Sequence, residues 1–288
     1  MRLNPFNTGD IKVRRGGGGG GFPGGGGGKV GCGTLVIALI GALVFGIDPT
    51  QTIGMLEGSG SPTTQSAPAG SSESAAEICD DNQYAMEGCN ALASLNRTWQ
   101  PIFQRAGVQF TQPTLVYYQG GTRSGCGSAS SAMGPFYCPA DQGIYIDVSF
   151  FDQMARQMGA GGDFARYYVM AHEYGHHIQT ITGVSGMIRN AQMQDRANAN
   201  QYQVRLELMA DCYAGVWAGA NRNLLEPGDM EEGLRAASAI GDDTLMRNAG
   251  RRVDAESFTH GTSQQRMQAL RLGMQSGGDD TVCDRYVS

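Results

Sequence analysis

The apolar positions of this chain follow two periods and one unbroken run. Phe164, Tyr167, Tyr168, Met170, Ala171, Tyr174, Ile178 and Ile181 follow a glycine-rich break at 159–162 and continue without proline to Gly183. With Asp163 as N-cap, this spacing predicts a largely buried helix. Leu206, Met209, Tyr213, Trp217 and Ala220 form the apolar stripe of a second helix, on which Glu207 and Asp211 share a different face. Residues 88–105 predict a helix interrupted near Pro101. Residues 150–158, 230–247 and 263–275 predict three more, the last with Met267, Leu270 and Met274 on one face. Thr114-Leu115-Val116-Tyr117-Tyr118 predicts a strand ending at Gly120-Gly121, and period two is seen where Ile144, Ile146 and Val148 alternate with Tyr145, Asp147 and Ser149, which predicts a half-buried strand. The fold class expected is α+β, mainly helical with a small antiparallel sheet.

The unbroken run is 30–47, VGCGTLVIALIGALVFGI, which carries no charge. It predicts one N-terminal transmembrane helix at the short end of the usual length. Its centre also resembles the apolar core of a cleaved signal, but no small-x-small site follows it directly. Before it, residues 1–29 carry Arg2, Lys12, Arg14, Arg15 and Lys29 against Asp10, and two glycine tracts. They read as a basic, flexible arm, and cations on that side predict a cytoplasmic N-terminus. Residues 48–76 read as a flexible linker, leaving 77–288 as one exported domain, periplasmic or extracellular, large enough for its own core. The total charge is −6, and all lysines lie in the arm. Five cations without an aromatic platform give no nucleic-acid partner.

His172-Glu173-Tyr174-Gly175-His176 is an HExxH pattern inside the first predicted helix. Positions i and i+4 share a face, so both imidazoles can close on one ion, with Glu173 placed to reach a water held by that ion. Zinc suits this set, since it takes neutral imidazole and needs three protein ligands in catalytic sites. Gln179 and Thr182 stand where a metzincin has Gly and His, so the third ligand lies elsewhere. Glu207 is the candidate, with Asp211 accepting the outer N–H of a ligating histidine. Asp211 as ligand in place of Glu207 is the alternative. His177 points away from the pair and reads as a packing residue.

HEYGHHIQ, LELMADCYAGVW, FTHGTSQQR and GCGSASSAMGPFYCPAD together resemble the bacterial neutral zinc metallopeptidase family, membrane-anchored proteins of the gluzincin-like group. The likeness spans nearly the whole chain. It implies a zincin-like fold, Zn2+ as cofactor, His172, His176 and Glu207 as metal ligands, and Glu173 as general base. In zinc peptidases a small sheet beside the active-site helix holds an extended substrate, and the 144–149 strand is the candidate for that edge.

His260, in a loop before the last helix, is a candidate second donor to the oxyanion of peptide-bond attack. Cys79, Cys89, Cys126, Cys138, Cys212 and Cys283 follow the apolar run in even number. Local spacing favours Cys79–Cys89 and Cys126–Cys138, leaving Cys212–Cys283 by elimination, against the alternative of free buried thiols. The function expected is a membrane-anchored zinc metallopeptidase acting on a peptide or protein substrate. The alternative is a non-catalytic cell-envelope scaffold or binding protein with a structural zinc.

Overall fold

The computed structural model describes residues 1–17 and 73–287. Its strands are β1 (Lys12–Arg15), β2 (Thr114–Tyr118), β3 (Gly121–Ser124), β4 (Gly127–Ser130), β5 (Phe136–Cys138) and β6 (Gly143–Asp147). Its α-helices are α1 (Ala75–Cys79), α2 (Gln83–Arg105), α3 (Ser149–Gln157), α4 (Asp163–Ile181), α5 (Val184–Gln194), α6 (Ala199–Ala220), α7 (Asp229–Ala239), α8 (Asp242–Asn248) and α9 (Ser263–Gln275). The fold is α+β and mainly helical. Among the described residues no helix is long and apolar enough to cross a membrane. The expected anchor at 30–47 and most of the expected linker at 48–76 lie outside the described residues.

The larger sheet has the order β1-β2-β6-β5. β1 pairs with β2 and β2 with β6 in parallel, whereas β5 runs antiparallel to β6. β3 and β4 form a separate antiparallel ribbon. The expected antiparallel pairing is therefore present in the ribbon and at β5, and the remainder of the sheet corrects that expectation. Parallel neighbours need long crossovers, and α1 and α2 lie between β1 and β2 in the chain. β6 is not the sheet edge expected of the 144–149 strand, because β2 and β5 flank it on both sides.

Both faces of the sheet are covered, which explains why β6 is buried along its whole length. Leu115, Tyr117, Ile144 and Ile146 face the helices and join the main core. Val116, Tyr118, Phe136, Cys138 and Tyr145 make a smaller core with Ala129 of the ribbon. Tyr145 stacks on Phe136 with ring centroids 4.8 Å apart. Asp147, on the same side, accepts from the Gly120 and Ser149 amides and the Ser131 hydroxyl.

The first residues of the chain are built into this unit, so the arm expected to be flexible is ordered over 1–17. Ile11 is buried in the main core. Asn90 Oδ1 accepts from the Phe6 amide at 2.8 Å, and Asn96 Nδ2 donates to the Asp10 carbonyl at 2.8 Å. Arg14 donates to Tyr145 Oη at 2.9 Å. The Met1 ammonium lies 3.0 Å from Asp163 and 2.8 Å from Asp229, the first residues of α4 and α7.

Two helices differ from their expected form. α2 runs unbroken through Pro101, which sits on the exposed side while Trp99 and Phe103 are buried on the other. Burial of those two rings outweighs a single lost ladder bond so near the helix end. The expected 230–247 helix divides at Gly241 into α7 and α8, and Asp242, which opens α8, is fully buried. The disulfides are Cys79–Cys89, Cys126–Cys138 and Cys212–Cys283, the pairing that spacing favoured.

Candidate metal centre

α4 carries His172, Glu173 and His176, and α6 carries Glu207 and Asp211. The two helices approach closely because position 175 has no side chain. A Cβ there would lie 2.9 Å from Ala210 Cα and 3.0 Å from its carbonyl oxygen. Glycine at the centre of HExxH is thus what lets Glu207 come within reach of the imidazoles. A metal-binding atom of each of His172, His176 and Glu207 lies within 4.8 Å of the others. His172 Nε2 is 3.2 Å from one carboxylate oxygen of Glu207, and His176 Nε2 is 3.6 Å from the other. Ligands held tetrahedrally at about 2.0–2.1 Å from zinc sit about 3.3 Å apart, so donor types and spacing fit that ion.

Each of these side chains is gripped from behind. Asp211 Oδ1 is 2.8 Å from His172 Nδ1 and accepts from Tyr168 Oη at 2.6 Å. Arg266, almost fully buried in α9, donates from Nε to Asp211 Oδ2 at 2.8 Å and from a terminal nitrogen to Oδ1 at 2.9 Å. His176 Nδ1 is 2.9 Å from Gln179 Oε1, and Gln179 is itself held by donating to the Leu206 carbonyl at 2.7 Å. Gln203 donates to Glu207 at 3.0 Å. These contacts leave the Nε2 atoms and the Glu207 carboxylate facing one another.

The electrostatics follow from burying opposite charges together. Burial raises the Asp211 carboxyl, but Arg266 and His172 outweigh it and hold it at about 2. Burial opposes protonation of His172, yet Asp211 and Glu207 carry it from 6.5 to about 9. Glu207 is held well below the ordinary carboxylate range against its burial, by His176 and then His260. Glu173 goes the other way, because burial raises it more than the two imidazoles lower it. One carboxylate is thus poised to stay charged and the other to exchange a proton.

His260 stands beside this cluster, in the loop between α8 and α9, and is 5% exposed. Asp242 aims it. Oδ1 lies 3.1 Å from His260 Nδ1, while Oδ2 accepts from the backbone amides of Thr259, His260 and Gly261 at 2.7, 2.6 and 3.1 Å. Among the described residues, Nε2 of His260 has no hydrogen-bond partner. His177 stays out of the cluster: its Nε2 donates to the Thr111 carbonyl at 2.7 Å and Nδ1 meets Tyr137 Oη at 3.1 Å. Burial pushes His177 down to about 4, so it is the neutral packing residue expected.

Sequence reasoning pointed to His172, Glu173, His176, Glu207, Asp211 and His260; the fold gathers the first five, and sets His260 near enough for its charge to act on Glu207. It missed Gln179, Gln203, Tyr168, Asp242 and Arg266. A signal existed for Gln179 and Arg266, which lie in the HEYGHHIQ and FTHGTSQQR stretches. Asp242 offered none beyond the glycine before it.

The profile of a family described as "Putative neutral zinc metallopeptidase" matches residues 4–286. The uncharacterized protein YpfJ of Escherichia coli (strain K12) is 42% identical over 262 residues, covering 90% of this chain and 87% of that protein. The uncharacterized proteins Rv2575 of Mycobacterium tuberculosis and Mb2605 of Mycobacterium bovis are each 38% identical over 223 residues, covering 72% of both chains compared. No solved structure matches the chain. With nearly its whole length matched, the chain belongs to the neutral zinc metallopeptidase family.

Proposed function

We propose that this protein is a zinc-dependent peptidase that hydrolyses peptide bonds in peptide or protein substrates. The observation that carries the reading is the meeting of His172, His176 and Glu207 within 4.8 Å, with Glu173 adjoining them on α4. Zinc held by those three would supply a Lewis acid and a water whose pKa falls to about 7. Glu173 takes the proton from the attacking water and passes it to the departing amine, a role suited to a carboxyl raised by burial. With Nδ1–H given to Asp242, His260 donates from Nε2 to the carbonyl oxygen as the imidazolium, as negative charge builds there. Asp211 and Gln179 keep Nδ1 of the two ligand imidazoles occupied and Nε2 free.

β5 ends the sheet opposite β1 and packs beside α4. Its outer edge replaces the 144–149 strand as the candidate for pairing with an extended peptide. The alternative, a cell-envelope scaffold with structural zinc, calls for a closed site, usually of four ligands rich in cysteine. Among the described residues every cysteine is spent in a disulfide, and the cluster holds three ligands. An open fourth position supports the enzyme. The disulfides also support an exported domain in an oxidising compartment, and the uncharged run at 30–47 supports attachment to a membrane.

Metal analysis of the purified full chain tests the ligand set. Wild type is expected to hold one zinc, and His172→Ala, His176→Ala and Glu207→Ala to lose it. Full zinc content in Glu207→Ala sinks the third assignment.

A further inference from the structure

We propose that Arg266 is a positioning residue for the metal centre, acting through Asp211 to fix the orientation of His172; this rests on the zinc reading above. An arginine that is 1% exposed is held there by something specific. Nε and one terminal nitrogen of Arg266 form a two-point clamp on the two oxygens of Asp211, at 2.8 and 2.9 Å. The second terminal nitrogen donates to the Ile240 carbonyl at 3.2 Å, and the clamping one also reaches Tyr168 Oη at 3.2 Å and lies 3.3 Å from His172 Nδ1, whose hydrogen is given to Asp211. The guanidinium plane is therefore fixed at both ends, and the carboxylate plane with it. One oxygen of that carboxylate, Oδ1, is the one that meets His172 Nδ1. A rotation of Asp211 would turn the imidazole and swing Nε2 away from Glu207.

The backbone is shaped to deliver this side chain. α9 packs on α6 without intervening side chains: a Cβ on Gly215 would lie 2.1 Å from the Leu270 carbonyl, and one on Gly273 2.0 Å from the Cys212 carbonyl. Cys212, next to Asp211, is tied to Cys283 beyond α9. The helix bearing Arg266 and the helix bearing Asp211 and Glu207 thus form a rigid pair.

The test uses the full-length protein and three readouts: thermal melting, zinc affinity by chelator competition, and peptide hydrolysis. Arg266→Lys keeps the charge but cannot make the planar two-point clamp. It is expected to fold, to bind zinc roughly 10–100-fold more weakly, and at saturating zinc to lower kcat with little change in KM. Asp211→Asn should weaken zinc comparably, and the double variant should be no weaker than the worse single one, because both act on one link. Wild-type zinc affinity in Arg266→Lys, or losses that add in the double variant, overturns the proposal. A wild-type protein that binds no zinc overturns the underlying reading instead.

A separate observation, the β1–β2 pairing, points to a second inference. The geometry assigns residues 1–15 and 75–287 to the same side of any membrane. Lys12–Arg15 pair in register with residues 114–117 of β2. Paired strands sit about 4.8 Å apart, whereas a bilayer core is about 30 Å thick. A single crossing between them, with the arm left in the cytoplasm and the domain exported, would strip β1 from the sheet and Ile11 from the core. The test is labelling by a membrane-impermeant maleimide of full-length chains in cells, in a Cys32→Ser background. The probes are Lys12→Cys and Arg251→Cys, both at exposed positions. The same labelling pattern before and after permeabilisation is expected at both, and labelling of one side only in intact cells overturns the inference.

Discussion

Gly175→Ala tests whether the approach of α4 to α6 sets the metal geometry. The added Cβ would meet Ala210 Cα at 2.9 Å, its carbonyl oxygen at 3.0 Å and its Cβ at 3.1 Å, whereas ordinary contact begins at 3.4 Å. The nearest two atoms are backbone, so a rotamer change cannot relieve the overlap. The helices must part by at least the difference between 3.4 and 2.9 Å, which is 0.5 Å. Two effects on stability oppose each other. Alanine in a helix interior gains about 1 kcal/mol over glycine, and overpacking costs about 1–3 kcal/mol. The net loss is about 0–2 kcal/mol, a fall in Tm of up to about 8 °C for a chain of this size. The metal site is less forgiving, since ligand distances tolerate about 0.2 Å. Zinc affinity is therefore expected to drop by roughly 10-fold or more, well beyond what the small change in melting would suggest. The assay is chelator competition on protein shown by circular dichroism to be folded. Zinc affinity within about twofold of wild type would mean that the approach of the two helices does not set the metal geometry.

Asp242→Asn leaves a buried amide facing three backbone donors and His260; trading charge-assisted for neutral bonds is expected to cost about 3 kcal/mol and roughly 10–100-fold in kcat, with zinc retained. Loss of zinc as severe as in His172→Ala would instead make His260 a ligand neighbour of another kind. Replacing Cys212 and Cys283 by Ser frees a loop spanning a separation of 71 residues, for which chain entropy predicts about 4 kcal/mol; an unchanged Tm would contradict it. In the metal-free protein His172 is raised from 6.5 to about 9, so its contribution to stability is full below pH 6.5 and is lost as pH rises through 9. Zinc displaces that proton, so the rise in Tm on adding zinc should grow from pH 6.5 to 9; a constant increment across that window would count against it.

Much of the site was legible because HExxH and the Glu207/Asp211 pair are local patterns on helices, where spacing alone decides which residues share a face. Strand 114–118 was legible as a short run of β-branched and aromatic residues closed by Gly120-Gly121, and helix 263–275 by the spacing of Met267, Leu270 and Met274. β6 was misjudged because alternation reveals two faces but not whether something covers both. Here the β3–β4 ribbon buries Tyr145 on the side that read as exposed. The ribbon itself is rich in Gly and Ser and gave no periodic signal. β1 was hidden by its composition: Lys12-Val13-Arg14-Arg15 reads as a solvated run, and only the tertiary pairing with β2 makes it a strand. Asp242 and Arg266 meet their partners across long stretches of sequence, which no window of residues exposes.

In the proposed chemistry a zinc ion at His172, His176 and Glu207 works with Glu173 as base. The most direct measurement is the turnover of zinc-loaded Glu173→Gln on a mixed peptide library, with zinc content determined on the same sample. Wild-type zinc content and a loss of roughly 10²–10⁴-fold in kcat are expected. Peptide cleavage at the wild-type rate with full zinc occupancy would contradict that chemistry.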